Sequence, residues 1–270
     1  MLGHVLLTSL GAGIDVVGTI RGPGTGRLVG GVDANDLASV ARVLDEVRPD
    51  AVINCIGIVK QRLDGERPIP SIRINALFPH ELAAMTAPRG MRLIHWSTDC
   101  VFSGRRGPST DDDIPDPVDV YGRAKLLGEV NEPHALTLRT SLVGRELDTH
   151  LGLVDWFLSQ PEGGAVRGFR RALYTGLSTT TAARILGILL RDHPDMHGVW
   201  QVASTSISKY ELLCLLRDEF ARHIEVTPED TFACDRRLDG SRFAARTGIT
   251  PPSWPDMVRE IRDDRVWEPE

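Results

Sequence analysis

Cysteine, basic charge and long apolar runs are all in short supply, and each shortage removes a class of function. Only four cysteines occur, Cys55, Cys100, Cys214 and Cys234, with no C-x-x-C and no histidine at metal-ligand spacing. A disulfide scaffold and a zinc site are therefore not expected, and a reducing cytoplasm is the simpler setting. Acidic residues outnumber basic ones, 37 to 31, for a formal net charge of -6. The chain thus lacks the general basic field on which dedicated nucleic-acid binding depends. That sign leaves an anionic small-molecule substrate open, because a local arginine cluster can reverse it. No apolar run reaches the ~18 residues of a membrane helix. The opening Met-Leu-Gly-His does not read as a secretory signal.

The 270 residues are 41% hydrophobic and 25% charged, which suits one large domain or two small ones around a buried core. Strand-like and helix-like segments alternate along the first half. Residues 2–10 read as an apolar helix ended by Gly11 and Gly13, and Ile14–Ile20 as a short β-branched strand. A glycine-rich turn leads to a strand near Leu28–Val32. A helix over 34–47 carries Leu37, Val40, Ala41, Val43, Leu44 and Val47 at helical spacing. Ala51–Ile56 is a continuous apolar run, as in a strand covered on both faces. A helix over 72–87, a strand over Arg92–Trp96, a helix over 119–131 and a strand over 136–142 complete the rhythm. This order predicts an α/β fold with a doubly wound parallel, Rossmann-type sheet. After about residue 144 the rhythm changes, with helices expected over 151–160, 179–192 and 209–222 and a strand over 198–203. A Pro-rich stretch at 251–255 precedes a last helix.

The sharpest motif is Tyr121-Gly-Arg-Ala-Lys125. Positions i and i+4 share a helix face, so phenol and ammonium can enter one site. Ser97-Thr98-Asp99 follows the strand at 92–96, and open α/β sheets bind ligands at the carboxyl ends of strands. These groups suit carbonyl reduction. A nearby ammonium lowers the phenol pKa, the phenol gives a proton to the oxygen that gains charge, and the threonine hydroxyl hydrogen-bonds that oxygen.

The stretches STDCVFSGRRG (97–107), YGRAKLLGE (121–129) and LRTSLVG (138–144) resemble an extended short-chain dehydrogenase/reductase. Within it, VRGFRRALYTGLSTTTAARIL (166–186), GVWQVASTSISKYELL (198–213) and LDGSRFAARTGITPPSW (238–254) are similar to the dTDP-4-dehydrorhamnose reductase group. The likeness covers nearly the whole chain. It implies a cytoplasmic NADPH-dependent reductase, with NADH as the alternative cofactor, acting on a nucleotide-activated 4-keto-6-deoxysugar for surface polysaccharide precursors. Residues 1–143 would bind the dinucleotide and residues 144–270 mainly the sugar nucleotide. Tyr121 then matches the catalytic acid, Lys125 its partner and a ribose contact, and Thr98 the triad hydroxyl, with Ser97 as runner-up. Asn54-Cys55-Ile56-Gly57 matches the loop that lines the cofactor, and Asp33 the residue that reads the adenine. Arg21 lies where the adenosine ribose binds, and a basic residue there suits the 2′-phosphate of NADP.

The start departs from that pattern. Relatives open with a strand and a G-x-x-G-x-x-G loop that cradles the pyrophosphate. Here Met1-Leu2-Gly3-His4 resembles only the loop's tail, with Gly3 as its last glycine. The first strand is missing from the middle of the sheet, which would leave two inner strands without partners and open the core. A start placed about a dozen residues late is the favoured account, and a true truncation the other.

Weaker signals remain. Mg2+ is associated with some relatives, but Asp111-Asp112-Asp113 reads as a solvated loop. Arg170 and Arg171 are candidates for a diphosphate, or else a solvated basic pair. Lys60 and Gln61 follow the cofactor loop and are candidates to face the sugar. His95 and Trp96 read as core, and Cys100 as packing. No membrane or nucleic-acid partner is expected, and relatives often form homodimers. The rival functions are an epimerase or epimerase-reductase on a UDP-sugar, a non-catalytic binding subunit, and a degenerate fragment.

Overall fold

The computed structural model describes residues 1–10, 13–60, 67–147 and 151–264. Helix α1 (Leu2–Ser9) leads to two short strands, β1 (Gly18–Thr19) and β2 (Leu28–Val29), which pair in parallel with each other. Helix α2 (Leu37–Val47) is N-capped by Asp36, whose carboxylate accepts from the N–H groups of Ala38 and Ser39. Strand β3 (Ala51–Asn54) follows. Next come a short helix α3 (Pro68–Ser71), a π-helical stretch Ile72–Leu77 and helix α4 (Phe78–Thr86). Strands β4 (Arg92–Trp96), β5 (Ala135–Arg139) and, much later, β9 (Gly198–Gln201) form with β3 a parallel sheet of order β3-β4-β5-β9. Helix α5 (Val120–Leu127) crosses between β4 and β5.

This sheet is covered on both faces, as continuous apolar strands require. Leu93 of β4 and Ala135 of β5 belong to a core with Val40, Val43 and Leu44 of α2 and Phe78 and Leu82 of α4. Ile94, Trp96, Leu136 and Leu138 point the other way, into a core with α1 and the later helices. The period-2 alternation of strand side chains thus sends neighbouring residues to opposite layers.

The expected gap is present. Among the described residues β1 pairs with β2 and β3 with β4, and nothing pairs β1 with β3. The strand expected over 14–20 is correspondingly reduced to Gly18–Thr19, because it has a neighbour on one side only. A cavity of about 1820 Å3 runs through the gap, lined by residues 14–20 and by Ala51–Asn54. The core nevertheless closes beneath it, with Leu2, Val5, Leu6 and Leu10 buried.

The expected strand over 136–142 divides. After β5, β6 (Leu142–Val143) pairs with β8 (Leu177–Ser178) in a separate small sheet. Helix α6 (Leu153–Leu158) lies between them. Two long strands were not anticipated, β7 (Ala165–Tyr174) and β11 (Glu225–Asp235). They pair in parallel, with a register shift between Glu229 and Ala233, and β10 (Ile207–Ser208) adds antiparallel to β7. β11 is rich in acid and largely exposed, and β7 carries three arginines, with glycine at one of its four buried positions, which hides the usual apolar alternation. Helix α7 (Thr179–Asp192) matches its expected range. Helix α8 (Lys209–Glu219) opens on a Ser208/Glu211 capping box, and helices α9 (Ser241–Thr247) and α10 (Trp254–Asp263) close the described chain. No described helix is long and apolar enough to cross a membrane.

Candidate active site

Strand β4 ends at Trp96, which places Ser97 and Thr98 at the carboxyl edge of the sheet. Thr98 caps the turn Asp99–Val101, its Oγ1 accepting from Cys100 N at 3.2 Å and donating to Asp99 Oδ1 at 3.2 Å. Asp119 caps α5 by accepting from Gly122 N at 2.7 Å. A Cβ at Gly122 would collide with the Cys100 carbonyl oxygen. Glycine at that position therefore lets the first turn of α5 close on the Thr98 turn. Thr98, Tyr121 and Lys125 consequently line one cavity. Ser97 borders the same cavity, but its Oγ donates to Glu129 Oε1 at 2.6 Å, and Glu129 is held by a bidentate pair with Arg139.

The electrostatics differ from the sequence expectation in one respect. The Tyr121 phenol sits above its ordinary value, chiefly through burial and then through the neighbouring Cys100, while hydrogen bonding with Thr98 favours the phenolate. Lys125 is absent from the groups that act on it. The lysine is 6% exposed, and its Nζ donates to the Trp96 carbonyl oxygen at 2.5 Å and lies 3.4 Å from His95 Nε2. Burial brings its pKa down to about 8. Cys100 is packed as expected, its thiol pushed up to about 12 by burial and its Sγ accepting from Arg236 Nη1 at 3.2 Å.

The loop after β3 borders the cavity next to this group. Gly3, Asn54, Cys55, Ile56 and Gly57 all line it. Asn75, unnoticed in the sequence, clamps this loop. Its Oδ1 accepts from Ile58 N at 2.9 Å and its Nδ2 donates to Ile58 O at 2.8 Å. Asn75 sits within the π-helical stretch, an irregularity often found at functional sites. The N-terminus of α1 has no side-chain cap and no acidic residue in its first turn. A Cβ at Gly3 would meet only Cys55 Cβ, at 3.8 Å. Uncapped N–H groups with room above them suit a phosphate. Arg21 is exposed just beyond β1, and its charge acts on Asp33, whose Oδ1 accepts from Asn35 N and Nδ2 at 2.9 and 3.0 Å.

The substrate candidates divide. Lys60 lines the cavity and pairs with Asp119 at 2.6 Å. Gln61 lies outside the described residues. Arg170 is exposed and bidentate to Asp230, and neither it nor Arg171 borders the cavity. Arg167 and Phe169 of the same strand do border it, with Phe232, Lys209 and Arg236. Phe169 and Phe232 pack against each other with centroids 5.2 Å apart and ring planes tilted by 60°. Lys209 Nζ lies 3.9 Å above the Tyr174 ring, and Tyr174 Oη is buried without a hydrogen-bond partner among the described residues. In the aspartate run Asp112 and Asp113 are exposed, as a solvated loop requires, and Asp111 alone is half-buried. Asp111 accepts from Gln201 N and pairs with Arg242, and Asp113 accepts from Thr110. Among the described residues no cluster could hold a metal ion.

Comparison with known proteins now bears on this geometry. The chain is 39% identical over 144 residues to a probable low-salt glycan biosynthesis reductase of Haloferax volcanii, covering 49% of this chain and 47% of that protein. It is 31% identical over 264 residues to the methionine adenosyltransferase 2 subunit beta of Rattus norvegicus, covering 87% and 78%. The fold matches a dTDP-4-dehydrorhamnose reductase of Bacillus anthracis, solved in complex with NADP, with a TM-score of 0.75 and 20% identity over 87% of this chain and 89% of that one. A family model described as the RmlD substrate binding domain matches residues 1–265. By that match, which spans the cavity and every residue placed around it, the chain belongs to the RmlD substrate-binding-domain family.

Proposed function

We propose that the protein reduces the keto group of a nucleotide-activated 4-keto-6-deoxysugar, with NADPH as its reductant and surface polysaccharide precursors as its products. The observation that carries this reading is that Thr98, Tyr121 and Lys125 meet in one cavity whose other flank is cationic and aromatic. That cavity, about 1820 Å3, continues from this site into the gap between β1 and β3.

The cofactor supplies the hydride. The N-terminus of α1 with Gly3 would hold its pyrophosphate, residues 54–57 its nicotinamide half, Asp33 its adenine and Arg21 its 2′-phosphate. Tyr121 keeps its proton at neutral pH because burial raises its pKa, so it is a donor and gives that proton to the substrate oxygen as charge develops there. Thr98 Oγ1 hydrogen-bonds the same oxygen and orients it. Lys125 returns a proton to the phenolate. Residues 144–270 supply most of the sugar-nucleotide contacts. Arg167, Lys209 and Arg236 face the diphosphate, Phe169 and Phe232 offer a platform for the base, and Tyr174 Oη can pair with a polar group of the ligand. Lys60 stays a candidate for the sugar itself. Four free thiols suit a reducing cytoplasm.

A second reading, a non-catalytic binding subunit, is favoured by the longer match to the rat subunit beta, 87% of this chain against 49% for the archaeal reductase. The intact Thr98, Tyr121 and Lys125 count against it. Incubation with NADPH and dTDP-4-dehydrorhamnose, followed by product analysis, separates the readings. NADPH consumed with a 4-hydroxy product supports the reductase. An epimer without net oxidation supports the epimerase. Binding without turnover supports the subunit.

A further inference from the structure

His95 reads as a core residue in the sequence, and it is 1% exposed. Its two ring nitrogens are nevertheless both engaged with polar side chains, in an arrangement that has a fixed direction. Asn54 stands opposite His95 in the parallel register of β3 and β4. Asn54 Oδ1 accepts from the backbone N–H of Ile56 at 3.0 Å. A backbone N–H can only donate, so this bond fixes which end of the amide is oxygen. Asn54 Nδ2 is then the atom 3.2 Å from His95 Nδ1. An amide nitrogen also donates only, so Nδ1 must accept and the imidazole proton must sit on Nε2. That Nε2–H faces Lys125 Nζ at 3.4 Å. Nζ in turn donates to the Trp96 carbonyl oxygen at 2.5 Å.

The chain of donors therefore runs Ile56 N–H, Asn54, His95, Lys125, Trp96 O. Every link is satisfied only if Lys125 offers a lone pair to His95. An ammonium there would set donor against donor in a buried site. We propose that His95, oriented by Asn54, is a positioning residue that favours the neutral amine of Lys125. The lysine can then exchange its proton near neutral pH rather than near its ordinary ~10.4.

Other charged groups around the pair are accounted for. Glu129 favours the ammonium, but it is bound by Arg139 and by Ser97. His80, on α4, disfavours a charged His95, as does Lys125 itself. The low lysine pKa agrees with the direction of the chain. In the proposed reduction, Tyr121 gives its proton to the substrate oxygen and Lys125 returns one to the phenolate. A lysine made more acidic than usual gives that proton more readily, and solvent restores it. This consequence rests on the reductase reading, whereas the state of His95 and Lys125 does not.

Two measurements on the full chain, without substrate, test the inference. Two-bond 1H–15N spectra report the His95 tautomer. The protonated nitrogen should be Nε2, with the ring still neutral well below the ordinary histidine pKa. A proton on Nδ1, or a charged ring at neutral pH, overturns the proposal. The 13Cε signals of the three lysines, with Lys125 assigned by Lys125→Met, report the second. In His95→Phe, which keeps the site filled and removes the donor, the Lys125 midpoint should rise by about one pH unit or more. An unmoved midpoint also overturns it. Should His95→Phe not fold, the wild-type tautomer alone decides. A protein that titrates as stated but reduces no keto sugar contradicts the reductase reading and leaves this inference standing.

Discussion

Ser97 donates its hydroxyl to Glu129 at 2.6 Å, and by doing so it leaves the site to its neighbour Thr98. Ser97 is the runner-up to Thr98 as the hydroxyl of the triad; Thr98 Oγ1 makes only the longer contacts of its own turn, 3.2 Å each to Asp99 Oδ1 and Cys100 N. Thr98→Ala should lower kcat by roughly tenfold to a thousandfold, the usual range for one hydrogen-bond donor to a developing oxyanion. Ser97→Ala should leave the residual rate close to wild type once folding is matched. Steady-state kinetics on both variants decides it, and the reverse order of effects would exchange their roles.

The same contact carries a stability prediction. Glu129 and Arg139 form a bidentate pair, with side chains 7% and 8% exposed. Breaking a buried pair leaves an uncompensated charge, at a cost of about 3–5 kcal/mol. Glu129→Gln should therefore lower the unfolding free energy by that order in denaturant titration. A change below about 1 kcal/mol would show that the charge of Arg139 is satisfied elsewhere.

Lys125 makes stability depend on pH, and the sign is fixed by its burial. Its folded pKa of about 8 lies below the ordinary 10.5. Between those values the unfolded chain still holds a proton that the folded chain has released, so stability rises with pH across the window. The gain is on the order of 2–3 kcal/mol. Lys125→Met lacks it, so the stability difference between wild type and variant should shift in favour of wild type from pH 8 to 10.5. Parallel slopes for the two proteins would mean that the lysine titrates alike in both states.

Much of the layered part of the fold was legible from residue order. The strand at 92–96 and the helix at 179–192 are buried or amphipathic elements whose pattern survives without tertiary context, whereas the apolar run at 51–56 is a strand only over Ala51–Asn54, half-buried where it borders the gap. The gap was legible too, since among the described residues β1 pairs with β2, β3 pairs with β4, and nothing joins β1 to β3. The ribbon of β7 and β11 was not, because the arginines of β7 and the exposed acids of β11 interrupt the apolar alternation. That failure moved attention to Arg170, which is taken up by Asp230, and away from Arg167, Lys209 and Arg236 on the cavity wall. Tyr121, Lys125 and Thr98 were legible because a helix repeat and a strand end fix where they point. The His95 contact depends on strand register, which no local spacing reveals.

Arg21 tests the cofactor side. It is exposed beyond β1, beside Asp33, where it can meet a 2′-phosphate through a charge-assisted bond worth about 1.5–3 kcal/mol. Arg21→Ala should reduce the preference for NADPH over NADH by at least about tenfold. Calorimetric titration with both cofactors measures the ratio, and an unchanged ratio would remove Arg21 from the site.

The central claim is that Tyr121 protonates a keto sugar in this cavity, and one comparison tests it most directly. Wild type and Tyr121→Phe are assayed for NADPH oxidation with dTDP-4-dehydrorhamnose, alongside sugar-nucleotide binding. The substitution deletes one oxygen and keeps the ring, so folding and binding should persist while kcat falls by roughly 10²–10⁴. A Tyr121→Phe protein that turns over at nearly the wild-type rate would contradict the account.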